Sequence, residues 1–508
     1  MGCYTMRFMF NEDNNHFIFS RKSAGERVTK TELEAFILQY QGTQITDFLF
    51  NVNCRTSAVP STVLDSVIDM YENARRAGRL EEHLGGVDIA YNLFVTQGID
   101  MYQVWIETAR RIGIRPWLSF RMNDRHDSFS KDDTINGDFY YSHPEYRRAV
   151  YRRQVSAEDC CYDYAHAEIR DRMKRFIAEM LERYDVDGIE LDFSREVYCF
   201  APGREEANII TKLLEEIKGI TEKAADRYGH SVLISVTMPP RPETALSMGF
   251  AVLDWMKKGL VDIIVPISRW ATIDNDIPVG MWKEWLYPFE PEIIAGHQIL
   301  LRSCIEAPVS INSFETAVGS AANYYSMGSD GVYLYNYMDR IEPFLCESTG
   351  LKTDLGDPDV LHRLFCTIGD KEKVMRTTRR HIVTFPDALG YWERGNAVLP
   401  IFCHQNDYYF SLRVGVGTII EGAKTFVILA IESADESFSS EDIEVYLSGY
   451  LCTFAAYCEI ATHCSTKKGY MFSVPADAKI GEYGVIEFTS INKKPFETDY
   501  AEIYIIND

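Results

Sequence analysis

Eight short apolar runs, each followed by a stretch of helical spacing, constrain this chain more than any other feature. The runs are Arg7–Phe10, Ile45–Val52, Pro116–Met122, Gly188–Phe193, Val232–Met238, Val261–Ile267, Ile293–His297 and Gly331–Tyr337. Between them, residues Thr31–Gln41, Val63–Ala77 with Met101–Ile112, Ala167–Tyr184, Glu205–Tyr228, Val252–Lys258, Gly280–Leu286 and Ser313–Met327 repeat their apolar positions with the period of a helix. Alternation of this kind is the mark of βα units, and each helix is long enough for a right-handed crossover between parallel strands. Eight such units by about residue 340 predict a (β/α)8 barrel over residues 1–350. An open doubly wound sheet is the runner-up, and it lacks the Gly-x-Gly-x-x-Gly loop that often follows its first strand.

The pattern then changes. Residues 351–380 read as a helical connection. Residues 381–508 hold short strands at Asn396–Phe402, Tyr408–Val414, Thr425–Ile431, Ile443–Leu447, Tyr470–Val474 and Gly484–Thr489, separated by polar turns. This predicts an all-β sandwich after the barrel.

Charge narrows the partners. With 52 basic and 75 acidic residues the formal charge is −23, which argues against nucleic acid or an anionic membrane surface and favours a neutral or cationic ligand. No run of about 18 apolar residues is present to span a membrane, and the amino terminus lacks the apolar core of a secretory signal. Twelve cysteines are scattered without a Cys-x-x-Cys spacing, which reads as reduced thiols in the cytoplasm. A homo-oligomer is left open.

If the barrel forms, residues at the carboxyl ends of the strands share one crevice. Glu190 and Asp192 lie two apart on the fourth run and so face the same way, with Asp192 nearer the strand end. A single acid of this kind is ordinarily held by an arginine in a structural ion pair. Two on one buried strand tip the reading toward chemistry, because burying a carboxylate without a partner or a task is costly. Around them the strand ends supply Asn11, Asn51, Asn53, Arg121, Asn123, Asp124, His126, Asp127, Arg195, Arg241, Glu243, Trp270, His297 and Asn336. Amides, carboxylates, guanidinium groups and an indole are what a sugar needs, since hydroxyls take paired donors and acceptors while ring C–H faces stack on aromatic planes. Cleaving a glycosidic bond requires one protonated carboxyl and one ionised one, and Asp192 with Glu243 or Asp124 is the expected pair. The plainer readings are a helix N-terminal acid for Glu243, a solvated turn for residues 121–127 and a packed lid residue for Trp270. His126 with Asp124 or Asp127 could bind a metal, but no His-x-His follows an early strand, so no metal or cofactor is expected.

Taken in order, Arg7-Phe-Met-Phe-Asn11, Phe120-Arg-Met-Asn-Asp124 with His126-Asp127, Asp187-Gly-Ile-Glu-Leu-Asp-Phe193, Gly259-Leu-Val-Asp-Ile-Ile-Val-Pro266 and Asp330-Gly-Val-Tyr-Leu-Tyr-Asn336 resemble the bacterial glycoside hydrolase family 10-like proteins. The resemblance covers roughly the first 340 residues. It implies a TIM barrel, a carbohydrate substrate and Asp192 as the strand-four acid. After Asp192 this chain reads Ser194-Arg195-Glu196-Val-Tyr198, where related sequences often carry a His-Pro pair after the arginine.

The expectation is therefore a glycoside hydrolase acting on an oligosaccharide or glycoside. The alternatives are a carbohydrate-binding protein on a degenerate barrel and a metal-dependent barrel hydrolase.

Overall fold

The computed structural model describes residues 6–13, 17–18, 27–78, 86–125, 136–148, 157–268, 274–298, 312–336, 354–383, 399–403, 410–461 and 466–507. Its first part is a parallel barrel of β1 (Arg7–Glu12), β2 (Asp47–Asn51), β3 (Arg115–Arg121), β4 (Gly188–Asp192), β5 (Leu233–Met238), β6 (Ile263–Pro266), β7 (Glu292–Ile293), β8 (Ala295–Gln298) and β9 (Gly331–Tyr335). The strands pair in the order β7-β6-β5-β4-β3-β2-β1-β9-β8. β7 and β8 are two halves of one stave. The first half pairs with β6 and the second with β9, and a bridge between Ile267 and Gly296 completes the ring. The eight runs of the sequence are thus the eight staves.

Helices cover the barrel where sequence capping allows them to start. Thr29 caps Lys30–Leu38 in a reciprocal box with Glu32, Asp100 caps Met101–Arg111, and Ser313 caps Phe314–Ser326 with Thr316. Each cap satisfies backbone N–H groups that the first helical turn leaves without partners. The Ala167–Arg183 helix buries Ile169, Phe176, Ile177, Met180 and Leu181, one stripe at helical spacing, against the sheet.

Strand alternation sorts the side chains into two cores. Met9, Leu49, Trp117, Ile263, Val265, Ile267, Ile294, Tyr333 and Tyr335 fill the barrel, while the intervening residues join the larger layer between barrel and helices. At the amino-terminal end, Asp47 plugs the barrel, accepting hydrogen bonds from Arg7 Nη1 (2.8 Å), Arg115 Nη2 (2.7 Å) and Trp117 Nε1 (2.8 Å). Trp117 also explains the glycine of the Asp-Gly-Ile motif. A β-carbon on Gly188 would stand 2.3 Å from the Trp117 ring, so the indole occupies the space a side chain would take.

The carboxyl-terminal part is a sandwich of two antiparallel sheets. One runs β10 (Arg379–Ile382), β19 (Phe496–Ile506), β13 (Lys424–Glu432), β17 (Thr466–Ser473) and β16 (Thr453–Ala461), with β11 (Ile401–Cys403) also on β19. The other runs β12 (Phe410–Gly415), β18 (Tyr483–Ser490), β14 (Ile443–Leu447) and β15 (Tyr450–Leu451). Their facing residues, among them Leu412, Val427, Leu429, Val445, Ile486, Phe488, Ile503 and Ile505, form a separate core. The helices Pro358–Phe365 and Lys371–Arg376 lie between the two parts.

The sandwich is seated on the Phe314–Ser326 helix of the barrel. A β-carbon on Gly319 would come within 2.0 Å of the Arg380 carbonyl oxygen, so the glycine permits direct contact of helix and strand. Arg380 ties the seat with ion pairs to Glu315 (2.7 Å) and Glu502 (2.6 Å). Beside it the buried Arg379 donates to the Met375 and Thr418 carbonyls and, through Nε, to His381 Nε2 at 3.1 Å. Burial and the Arg379 charge hold the His381 imidazole neutral, well below its ordinary value of 6.5.

Two stability predictions follow from these contacts. Gly188→Ala overpacks the Trp117 layer and lowers stability by about 1–3 kcal/mol, read as the denaturation midpoint. For His381, the unfolded chain takes up a proton near pH 6.5 and the folded chain does not, so stability is full above that pH and lost below it. Between pH 7.5 and 5.0, wild type should lose about 2 kcal/mol more than His381→Gln, at roughly 1.4 kcal/mol per pH unit below 6.5.

Candidate functional site

The carboxyl ends of the strands bring a polar cluster together. Asp192 ends β4 fully buried, and its side chain points into the barrel. Oδ1 accepts from the backbone N–H groups of Ser194 and Arg195, each at 2.9 Å, and from the Thr237 hydroxyl at 2.8 Å. Oδ2 accepts from the Tyr335 hydroxyl at 3.0 Å. Register explains the set. Thr237 stands beside Asp192 on β5, Arg121 stands beside it on β3, and Tyr335 reaches across from β9. Tyr335 is a neutral donor, its ionisation pushed far up by burial. Among the described residues Asp192 forms no ion pair: four uncharged donors orient it.

One rung lower, Glu190 is equally buried. Its Oε1 accepts from Asn11 Nδ2 at 2.8 Å and Ser119 Oγ at 2.6 Å. Burial, with Asp192 as the next contributor, raises the Glu190 pKa to about 8. Around it Asn11 Oδ1, Asn51 Oδ1 and Ser235 Oγ are buried and lack hydrogen-bond partners among the described residues, while the Tyr333 hydroxyl acts on Glu190 as a further donor. Buried polar atoms are rarely left so.

The cations are engaged with other acids. Arg121 is buried, bonds to Asp13 at 2.8 Å, faces Asp124 at 3.5 Å and donates to Cys54 Sγ at 3.2 Å. Arg195 directs Nε toward the same Asp124 oxygen at 3.7 Å, so Asp124 sits between two guanidinium groups. Arg125 pairs with buried Glu196 at 2.8 Å. The Cys54 thiol is neutral, pushed up to about 12 by burial. Asn53, Cys54, Arg121, Asn123, Asp124 and Tyr162 also line a small cleft beside the strand ends.

Other expected site residues sit differently. Glu243 is exposed in the first turn of the short Pro242–Ser247 helix, and no described contact joins it to Asp192. The strand-five loop turns the acid to solvent as a helix N-terminal residue. Ile293 and Ala295 belong to the layer under the helices and Ile294 to the barrel interior, so alternation puts His297 on the helix side. Burial alone drives its pKa down to about 3. Asn123 spends its amide on the loop, donating to the Tyr162 and Tyr198 carbonyls and accepting from the Tyr162 N–H at 3.0 Å. Asn53 likewise donates to the Cys54 and Arg121 carbonyls. Arg241 pairs with Asp274 at 2.9 Å. Asn336 turns the chain after β9 at φ 59°, a left-handed conformation that asparagine tolerates, and its N–H donates to the Asn11 carbonyl. His126, Asp127 and Trp270 lie outside the described residues. Among the described residues no group of three or more His, Cys, Asp or Glu side chains is placed to hold a metal.

Sequence reasoning passed over Ser119, Ser235, Thr237, Tyr333 and Tyr335. The signal was available, since each lies an even number of positions from an interior residue of its own strand.

No protein-family model matches the chain, and no curated protein matches it. Among solved structures it is similar to a GH36 alpha-galactosidase from Geobacillus stearothermophilus solved with stachyose, at 7% identity and a TM-score of 0.37, over 96% of this chain and 56% of that one. It is similar to a cycloisomaltooligosaccharide glucanotransferase from Paenibacillus sp. at 9% identity and a TM-score of 0.36, over 98% and 57%. A third is a glycoside hydrolase family 18 N-acetylglucosaminidase from Paenibacillus barengoltzii at 10% identity and a TM-score of 0.36, over 71% and 99%. The chain thus spans a little over half the length of the first two. The functional reading rests on this chain's own residues.

The Thr237 hydroxyl is a prediction point, because it donates to a buried carboxylate and receives the Ser194 N–H at 3.1 Å. Thr237→Val should cost about 1.5–3 kcal/mol in chemical denaturation at pH 7. Most of that cost should vanish in an Asp192→Asn background, where the charge is gone.

Proposed function

We propose that this chain is a glycoside hydrolase whose working carboxylate is Asp192. One observation carries the reading: at the carboxyl end of a barrel strand, a fully buried carboxylate is oriented by four neutral donors, with no ion pair among the described residues. A structural acid is ordinarily neutralised by a cation, whereas a nucleophile or base has to keep its charge. Asp124 is the second carboxylate of the proposal, since Arg195 touches both acids, through its backbone N–H on Asp192 and its guanidinium near Asp124. Asn11, Asn51 and Asn336 supply amide oxygens for sugar hydroxyls, and Arg121 and Arg195 hold the acids in place. The five motifs that resemble those of family 10-like proteins agree with this class of substrate.

One observation favours the rival reading of a sugar-binding protein without turnover. Asp124 lies between two guanidinium groups, an arrangement suited to a fixed charge more than to a proton donor. Turnover separates the two. Purified wild type should release reducing sugar from at least one member of a broad glycoside panel. Asp192→Asn should lower kcat by about 10³-fold or more while still binding that glycoside, the loss typical of removing a group that acts on the reacting atoms. Equal activity in the two forms refutes the assignment, and tight binding without turnover in wild type selects the rival.

A further inference from the structure

The interior of the barrel carries a second carboxyl group that the proposed chemistry does not use. Glu190 is on the same strand face as Asp192, two residues deeper, and is entirely shut from solvent. Its Oε1 accepts hydrogen bonds from Asn11 and Ser119. No cation among the described residues pairs with it. From β5 it meets the Ser235 hydroxyl in register. From β9 the Tyr333 hydroxyl acts on it as a hydrogen-bond donor that favours the ionised form, an effect smaller than that of burial. The charged and titratable groups around it are thus Asp192 above it on β4 and Tyr333 on β9. Arg121 stands one rung higher on β3 in register with Asp192 and is spent on Asp13 and Asp124.

Two anions at this depth are costly to keep without a cation, and of the two it is Asp192 that is held by backbone N–H groups as well as hydroxyls. We infer that Glu190 is a positioning residue that works as a neutral carboxylic acid, holding the Asn11 amide and the Ser119 hydroxyl below the site and leaving Asp192 as the lone anion on that wall. The inference rests on the reading of Asp192 as the working carboxylate. Desolvation and the neighbouring charge agree, placing the Glu190 transition at about 8. Ionising Glu190 would set a second negative charge beside Asp192 in the same dry interior. The repulsion is relieved only by movement or by capture of a proton or cation, and each disturbs the Asp192 arrangement.

The test is Glu190→Gln, which keeps the shape and the neutral charge. In wild type, kcat/KM on a cleaved glycoside should fall as pH rises through about 8. In Glu190→Gln that alkaline limb should disappear, with activity at pH 6.5 kept within about tenfold. Stability gives a readout that needs no turnover. The folded state holds a proton that the unfolded chain releases near the ordinary 4.5, so wild-type stability should fall relative to Glu190→Gln between pH 4.5 and 8. An infrared carbonyl band of an un-ionised acid, present in wild type at pH 7 and absent from Glu190→Gln, should accompany it. Should the glutamine form not fold, Glu190→Asp keeps the carboxyl, and the transition should move without vanishing. A band unchanged by either substitution, or a pH profile that Glu190→Gln leaves intact, overturns the inference. Equal activity of Asp192→Asn and wild type would instead overturn the functional reading beneath it.

Discussion

The hydrogen bond from Tyr335 to Asp192 crosses the barrel from the eighth stave to the fourth, and the site depends on it. Such a chord exists only if the ring is closed, and closure rests on a seventh stave shared between β6 and β9. The register of β4 with β3 and β5 gives Asp192 a neighbour on each side, Arg121 and Thr237, and sets Glu190 beside Ser119 and Ser235. A carboxylate sealed from water is tolerable because these donors replace its hydration. The fold therefore determines both the cost of the charge and the means of keeping it.

The two ends of the barrel solve the same problem in opposite ways. At the amino-terminal end Asp47 is neutralised by Arg7 and Arg115 and held by Trp117, an ion-paired plug that adds stability. At the other end the guanidinium groups of Arg121 and Arg195 go to Asp13 and Asp124, and among the described residues Asp192 has neutral donors alone. This division agrees with the general rule that barrels keep stability at one face and chemistry at the other. The buried Arg379–His381 contact at the sandwich junction is a third arrangement. There the cation is satisfied by carbonyls and a neutral imidazole, and the junction is sensitive to acid through the histidine.

Much of this was legible in the residues. All eight staves could be read because strands buried on both faces are continuously apolar, and the inward aim of Asp192 followed from counting by twos. In the sandwich, β19 escaped notice because Glu497, Asp499 and Glu502 break up its apolar run, although it pairs with β10, β11 and β13. β16 escaped because it is an edge strand whose side chains are mostly exposed. In the site, residues on strands were placed better than residues on loops. Glu243 depended on the direction of a short helix, and Asn123 on backbone groups near Tyr162 and Tyr198, far away in sequence. The place of His297 follows from the same count, since its parity with Ile293 and Ala295 puts it outside the barrel.

The central claim is that sugar chemistry takes place over Asp192. A crystal structure of the Asp192→Asn protein with an uncleaved oligosaccharide tests it most directly. The account predicts an anomeric carbon about 3–3.5 Å from the residue-192 side chain, the distance of a reacting pair, with hydroxyls met by the Asn11 and Asn51 amides. Sugar bound elsewhere on the molecule, with residue 192 roofed by protein and out of its reach, would contradict it.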